Sequence, residues 1–116
     1  EHRVFMPGET FGAIATRLRH AAPEKKIVIE VASVADAIAA VDAGFDVIQL
    51  EKMQPSDVAI VAAAASSRAK PPLVAAAGGI GPHNAEVYVK AGAGLLVTSW
   101  PYTARPADVQ VAIGPA

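Results

Sequence analysis

The chain contains no cysteine, which excludes disulfides and thiolate metal centres and makes a cytoplasmic setting the expectation. It also has no long apolar run. Its low-charge stretches are broken by Gly, Pro, Ser or Glu before they reach the ~20 residues that span a bilayer, so neither a membrane segment nor a signal peptide is expected. An excess of one charge is missing as well. A net charge of −1 provides no broad basic footprint for nucleic acid. The histidines, at 2, 20 and 83, lack zinc-ligand spacing, and no serine–histidine–aspartate constellation is present. His20 sits at a helix end and His83 follows Pro82, and both suit solvated positions. His2 could face the same rim as the strand ends described below.

What is abundant is alanine and valine. Hydrophobic residues make up 53% of 116, a composition suited to small helices packed on a buried sheet. The length suffices for one domain with a real core and is too short for two.

Phe11, Ile14, Ala15 and Leu18 share one face at helical spacing. The run from Ile27 to Val31 is β-branched and of strand length. Ser33 with Asp36 three residues on forms a capping-box start, followed by the stripe Val34, Ala37, Ile38 and Val41, with Gly44 closing the helix. A second strand spans Asp46 to Leu50. Pro55 opens an alanine-rich helix reaching about Arg68. Leu73 to Ala76 is a third strand, and after a glycine turn Pro82 opens a third helix in this stretch, ended by Gly92. Leu95 to Val97 is a fourth strand. The Pro-rich tail from Pro101 reads as irregular, with Val109 to Ile113 as a possible short edge strand.

Polar or glycine-rich points at Glu30, Glu51, Ala77 and Ser99 recur about one βα unit apart. Strict βα alternation implies a parallel sheet with right-handed crossovers. A doubly wound sheet and a barrel both satisfy it. A full barrel takes eight strands and about 250 residues, so this chain of four or five strands is read as α/β, part of an incomplete (β/α) barrel.

In either architecture ligands bind at the carboxyl ends of the strands, which gathers Glu30, Glu51, Lys52, Gly78, Gly79 and Ser99 on one rim. By strand alternation Ile48 and Leu50 suit the helix layer, which turns Gln49 and Glu51 to the barrel interior. The same parity turns Glu30 inward. Two such carboxylates are costly unless solvated, paired or used in chemistry. The plain alternative is one carboxylate in water and one paired with Lys52 or Lys26. Gly78-Gly79-Ile80-Gly81-Pro82 joins a strand end to a helix start, where backbone can approach an anion closely; a turn with nothing bound is the plain alternative. Trp100 and Tyr102 suit a lid or an interface.

Val28-Ile29-Glu30-Val31, then Leu50-Glu51-Lys52-Met53 with Pro55, then Ala76-Ala77-Gly78-Gly79-Ile80 resemble the V-E-V-E, L-D-N and A-S-G-G-I motifs of the quinolinate phosphoribosyltransferase family. The match runs from His2 to about Ile113, in order and with compatible spacing. Glu1-His2-Arg3, Glu51-Lys52 and the run Thr98-Ser99-Trp100-Pro101-Tyr102, with Arg105-Pro106-Ala107-Asp108 after it, are similar to one branch: pyrophosphorylase-like proteins associated with molybdenum transport.

The resemblance implies a two-domain homodimer in which residues 1–116 are roughly half of the barrel domain, with the N-terminal sandwich domain outside this chain. It implies transfer of phosphoribose from phosphoribosyl pyrophosphate, with Mg2+, to quinolinate or a related aromatic acid. It places Glu30 beside the ribose and magnesium pyrophosphate, and Glu51 at the ribose hydroxyls. Gly78, Gly79, Ile80, Ser99 and Lys52 fall on the phosphate and ribose side, and no residue is assigned as a metal ligand. The partners implied are small molecules, a phosphosugar and an aromatic acid. Three departures stand out: Val28 for the first Glu of V-E-V-E, Ala77 for a Ser, and Lys52 for an Asn. The family's basic acceptor pocket lies upstream of residue 1. A non-catalytic phosphosugar- or nucleotide-binding accessory protein for molybdate uptake is the alternative, and a different phosphate-binding barrel enzyme is a third reading.

Overall fold

The computed structural model describes residues 2–115, with the side chains of His2 and Arg3 outside the description. The placement of the His2 side chain on the rim therefore falls outside the described residues. After a 3-10 turn at His2–Phe5 the elements alternate: α1 (Phe11–Ala21), β1 (Val28–Val31), α2 (Val34–Asp42), β2 (Val47–Glu51), α3 (Pro55–Ser66), β3 (Leu73–Ala77), α4 (Ala85–Lys90), β4 (Leu95–Val97) and α5 (Trp100–Thr103).

Local chemistry sets the boundaries. Thr10 Oγ1 accepts the Ala13 N–H at 3.2 Å and starts α1. Ser33 Oγ accepts the Asp36 N–H at 3.1 Å and starts α2. Pro55 stands in the first turn of α3, where a missing N–H costs no helical bond. Gly44 takes φ +80° just after α2, a left-handed turn that glycine allows without Cβ crowding.

The four strands are parallel, in the order β1-β2-β3-β4. This sequential order decides between the two architectures. A doubly wound sheet reverses its strand order at a switch point, whereas successive right-handed crossovers without reversal lay every helix on the same face. Ile29, Val31, Ile48, Leu50, Val74 and Ala76 face that helix layer and join Ala37, Ala40, Val41, Val58, Val61 and Tyr88 in one buried cluster. Ile48, Leu50, Val58 and Val61 are the largest fully buried side chains, each stabilising by about 1.5–3 kcal/mol relative to exposure.

The opposite face is open. Along β1 and β2 exposure alternates with a period of two, and Val28, Leu73, Leu95 and Val97 remain between 39% and 53% exposed on it. Expressed alone, residues 1–116 should aggregate or show loose tertiary packing with strong binding of a hydrophobic dye. A cooperative thermal transition from a monomer of this length would overturn that expectation.

Three local expectations are corrected. Pro82 does not open α4: residues 82–84 form a turn and the helix starts at Ala85, because Asn84 Oδ1 takes the Gly81 N–H at 2.8 Å and closes the loop first. Residues 109–113 form no strand; Val109, Val111 and Ile113 are 78–94% exposed. A short edge strand needs a ladder partner, and only β3 pairs with the three-residue β4. Pro101 lies within a single helical turn, α5, rather than in irregular chain.

The amino ends of the strands are tied together by Asp46. Its Oδ2 accepts the Ile27 N–H at 2.9 Å and lies 3.2 Å from Arg19 of α1, while Lys70 stands 3.5 Å from Oδ1. The bonded Ile27 N–H, together with Arg19 and Lys70, holds its carboxyl below the usual carboxylate range against the opposing effect of burial. Stability from this charge is fully present above the unfolded Asp value of about 3.9 and is lost as pH falls through the lowered folded value. In the full-length protein Asp46→Ala should cost about 1–3 kcal/mol in denaturant unfolding at pH 7. The gap from wild type should narrow below about pH 4; a gap independent of pH would remove the charge from the explanation.

Candidate functional site

The carboxyl ends of β1 to β3 place the predicted residues on the open face. Register pairs Glu30 with Gln49, Gln49 with Ala75, and Glu51 with Ala77. Both glutamates face away from the helix layer, as strand alternation requires. Glu30 is exposed and Gln49 half-buried, and the Gln49 Nε2 donates to Glu30 Oε2 at 2.7 Å. Glu51 is held differently: Lys52 Nζ lies 3.8 Å from its Oε1, at side-chain exposures of 30% and 79% respectively. The pairing foreseen for one carboxylate is thus Glu51 with Lys52, not with Lys26.

Lys52 leaves β2 in a strained conformation. Its φ of 54° lies in the left-handed region that costs a non-glycine residue roughly 1–2 kcal/mol. Its N–H donates to the Ala77 oxygen at 2.8 Å, extending the β2–β3 contact by one residue. Strained conformations of this kind persist where surrounding structure fixes them and occur often at functional sites.

The two glycines after β3 have different tasks. Gly78 has φ +85°, and a Cβ there would lie 2.5 Å from Lys52 Cγ, 2.9 Å from Glu51 Oε1 and 2.9 Å from the Lys52 backbone nitrogen. It is the close approach that brings the loop against Glu51. Gly79 has φ +76° and open space around the Cβ position, so its backbone is accessible to a ligand.

Two residues that sequence reasoning passed over shape this loop, and a third braces the layer behind it. Asn84 Nδ2 donates to the Gly79 oxygen at 3.0 Å while its Oδ1 holds Gly81. Thr98 Oγ1 donates to the Ile80 oxygen at 2.6 Å and accepts the Trp100 N–H at 3.0 Å, joining the loop to the end of β4. Tyr88 OH donates to the Met53 oxygen at 3.1 Å in the buried layer behind the rim. An Asn three residues after Gly81 was the available signal for the first, since Asx side chains bond nearby backbone.

Ile80 is buried beneath the loop and contributes backbone rather than side chain to the rim. Ser99 is exposed and precedes α5. Trp100 stacks at a tilt on His83, centroids 5.9 Å apart, over Gly81, whereas Tyr102 is 91% exposed. α4 has six residues and no side-chain cap, so its start is a weak anion site, and the exposed Gly79 backbone and Lys52 side chain are the donors that the rim turns to solvent. Among the described residues no group of three or more His, Cys, Asp or Glu side chains is placed to hold a metal ion, and no helix is long and apolar enough to cross a membrane.

A sequential parallel βα array with its carboxylates and glycine loop on one open rim defines a partial (β/α) barrel domain. Comparison with known proteins agrees and goes further. The chain belongs to the quinolinate phosphoribosyl transferase C-terminal domain family, whose model matches residues 2–112. It is 40% identical over 116 residues to ModD of Escherichia coli O157:H7, covering 99% of this chain and 41% of that protein. It is 48% identical over 85 residues to ModD of Rhodobacter capsulatus, covering 73% and 32%. Both relatives are provisionally named pyrophosphorylases. The chain thus spans about two fifths of the first relative's length.

The same fold occurs in the nicotinate-nucleotide pyrophosphorylase of Francisella tularensis, with TM-score 0.66 and 17% identity over 74% of this chain and 30% of that one. It also occurs in the nicotinate-nucleotide pyrophosphorylase of Ehrlichia chaffeensis, with TM-score 0.69 and 18% identity over 83% and 34%.

The glycine pair supplies a test. Gly78→Ala should lower stability by more than the ~1–2 kcal/mol of a left-handed alanine, because backbone blocks its Cβ. Gly79→Ala should cost no more than that strain, yet weaken binding of inorganic phosphate or ribose 5-phosphate. Equal thermal shifts for the two variants, or unchanged affinity in Gly79→Ala, would refute the division.

Proposed function

We propose that this chain supplies the phosphosugar side of a phosphoribosyltransferase of the nicotinate-nucleotide pyrophosphorylase type. The donor is phosphoribosyl pyrophosphate, and the acceptor is quinolinate or a related aromatic acid. One observation carries the reading: Glu30, Glu51, Lys52 and the Gly78-Gly79 turn, matched to the family's motifs, share one open rim. In the reaction the acceptor's ring nitrogen bonds to the anomeric carbon as its bond to the pyrophosphate oxygen breaks, and the electron pair leaves with pyrophosphate. Glu30 stabilises the positive charge developing at that carbon, which lowers the barrier because the charge grows only in the transition state. Glu51 accepts from the ribose hydroxyls. Gly79, Lys52 and Ser99 face the phosphate groups.

A donor set of exposed carboxylates suits Mg2+, which keeps most of its waters and takes one or two carboxylates plus substrate phosphates. In this reading the ion would come with the substrate phosphates and their waters, with no residue of the chain assigned as its ligand, and would supply neutralisation of the leaving group. Homodimerisation of the full-length protein belongs to the same proposal.

The acceptor differs from the parent pattern in this reading. Ala77 lacks the hydroxyl of the family's Ser, and a lost hydrogen bond to a charged group costs roughly 1.5–3 kcal/mol, about tenfold to a hundredfold in affinity. Lys52 adds charge that an anion of another shape can use. Full-length protein, Mg2+ and phosphoribosyl pyrophosphate are to be incubated with quinolinate, nicotinate and related aromatic acids while pyrophosphate release is followed. Turnover with a preference away from quinolinate is expected. Efficient turnover of quinolinate alone refutes the shift, and tight donor binding without pyrophosphate release from any acceptor favours the accessory-protein role in molybdate uptake.

A further inference from the structure

The two rim carboxylates are compensated in unlike ways. Glu51 has an ammonium 3.8 Å away. Among the described residues Glu30 has no cation within ion-pair distance, and its carboxylate is held by the neutral Gln49 amide at 2.7 Å. We propose that Gln49 is a positioning residue that fixes the Glu30 carboxylate toward the sugar without neutralising it. The proposal rests on the phosphoribosyl-transfer reading above.

Register makes the contact local and specific. Glu30 and Gln49 are direct partners across the parallel β1–β2 pair, so their side chains leave the same face side by side. On the other side of Gln49 stands Ala75, which presents only a methyl group and offers the amide no competing acceptor. An exposed glutamate otherwise samples several rotamers, and ordering it costs entropy at the moment of reaction. With one oxygen occupied by the amide, the other remains for a hydroxyl, a solvated cation or the developing charge.

The neutrality of the partner matters as much as the bond. A lysine at 49 would also donate to Glu30, but its positive charge would offset the field that the carboxylate exerts at the anomeric carbon. In a partly desolvated site that field is worth more than in water. An amide orients the group and leaves its full charge in place. During transfer the carboxylate gains no bond and no proton; the nitrogen–carbon bond forms and the carbon–oxygen bond breaks beside it.

The test uses the full-length protein with Gln49→Met, which keeps the length and removes the donor; Gln49→Lys, which keeps a donor and adds charge; Glu30→Gln; and the Gln49→Met/Glu30→Gln double variant. Thermal midpoints establish that each folds. Gln49→Met should lower kcat for pyrophosphate release about tenfold, the lower end for a lost bond to a charged group, with the donor KM changed less than about twofold, the signature of an interaction used in the transition state. Gln49→Lys should lose at least as much kcat. In the Glu30→Gln background Gln49→Met should cost nothing more, because the two act as one unit. Additive losses, a loss wholly in KM, or wild-type kcat in Gln49→Lys would each overturn the proposal.

If wild-type protein releases no pyrophosphate, the transferase reading fails and the proposal falls with it; pyrophosphate release by wild type with unchanged kcat in Gln49→Met overturns the positioning role alone.

Discussion

Register in this sheet begins at Asp46. Its side chain receives the Ile27 N–H, its backbone N–H donates to the Ile27 oxygen at 3.0 Å, and its own carbonyl receives the Leu73 N–H at 2.9 Å. One residue therefore aligns the entry points of β1, β2 and β3, and Arg19 ties α1 to the same point through Asp46 and the Gly44 oxygen. A one-residue slip in any strand would turn its side chains to the opposite face. The alignment fixed at this end thus determines, three to five residues later, that Glu30 meets Gln49 and that Glu51 meets Ala77. The site at the carboxyl ends is set by an ion-paired carboxylate at the amino ends.

That arrangement explains which features were legible in the sequence. The βα order, the strand cores and the inward turn of Glu30, Gln49 and Glu51 follow from period-two alternation, a property of each strand alone. The choice between barrel and doubly wound sheet required strand order, which no local pattern contains. Asp46 read only as the start of a strand, because its role depends on Arg19, Ile27 and Lys70, all distant in sequence. The left-handed Lys52 was equally hidden: a lysine has no preference for that region, and its conformation follows from the close approach of Gly78. Pro82 suggested a helix start by a sound local rule, and Asn84 overrode it by bonding the loop backbone.

The glycine loop shows how the same residue type can serve packing and access. At Gly78 the missing Cβ admits the Lys52 backbone and the Glu51 carboxylate, so it is a constraint of structure. At Gly79 the missing Cβ leaves space that nothing in the described chain fills. Thr98 and Asn84 hold the segment between them from two sides. The loop is therefore braced by its own polar contacts, and a six-residue α4 need not anchor it. Rigid support of this sort keeps an exposed backbone presented to a ligand at low entropic cost.

Set against the family's motifs, the two departures that change charge act in one direction. Val28 stands where the pattern has an acidic residue, which removes a negative charge, and Lys52 stands where it has a neutral amide, which adds a positive one. Ala77 removes a hydroxyl and changes no charge. Under the phosphoribosyl-transfer proposal, recognition of a donor bearing a 5′-phosphate and pyrophosphate would shift from directional hydrogen bonds toward Coulombic attraction, which is less demanding of geometry and more sensitive to salt. Val28 also leaves Glu30 as the one carboxylate that β1 brings to the open face, and under the phosphoribosyl-transfer proposal it is the β1 group that would act on the anomeric carbon. A carboxylate in that position gains most from a partner that orients it and leaves its charge intact, and the neutral Gln49 amide meets both conditions.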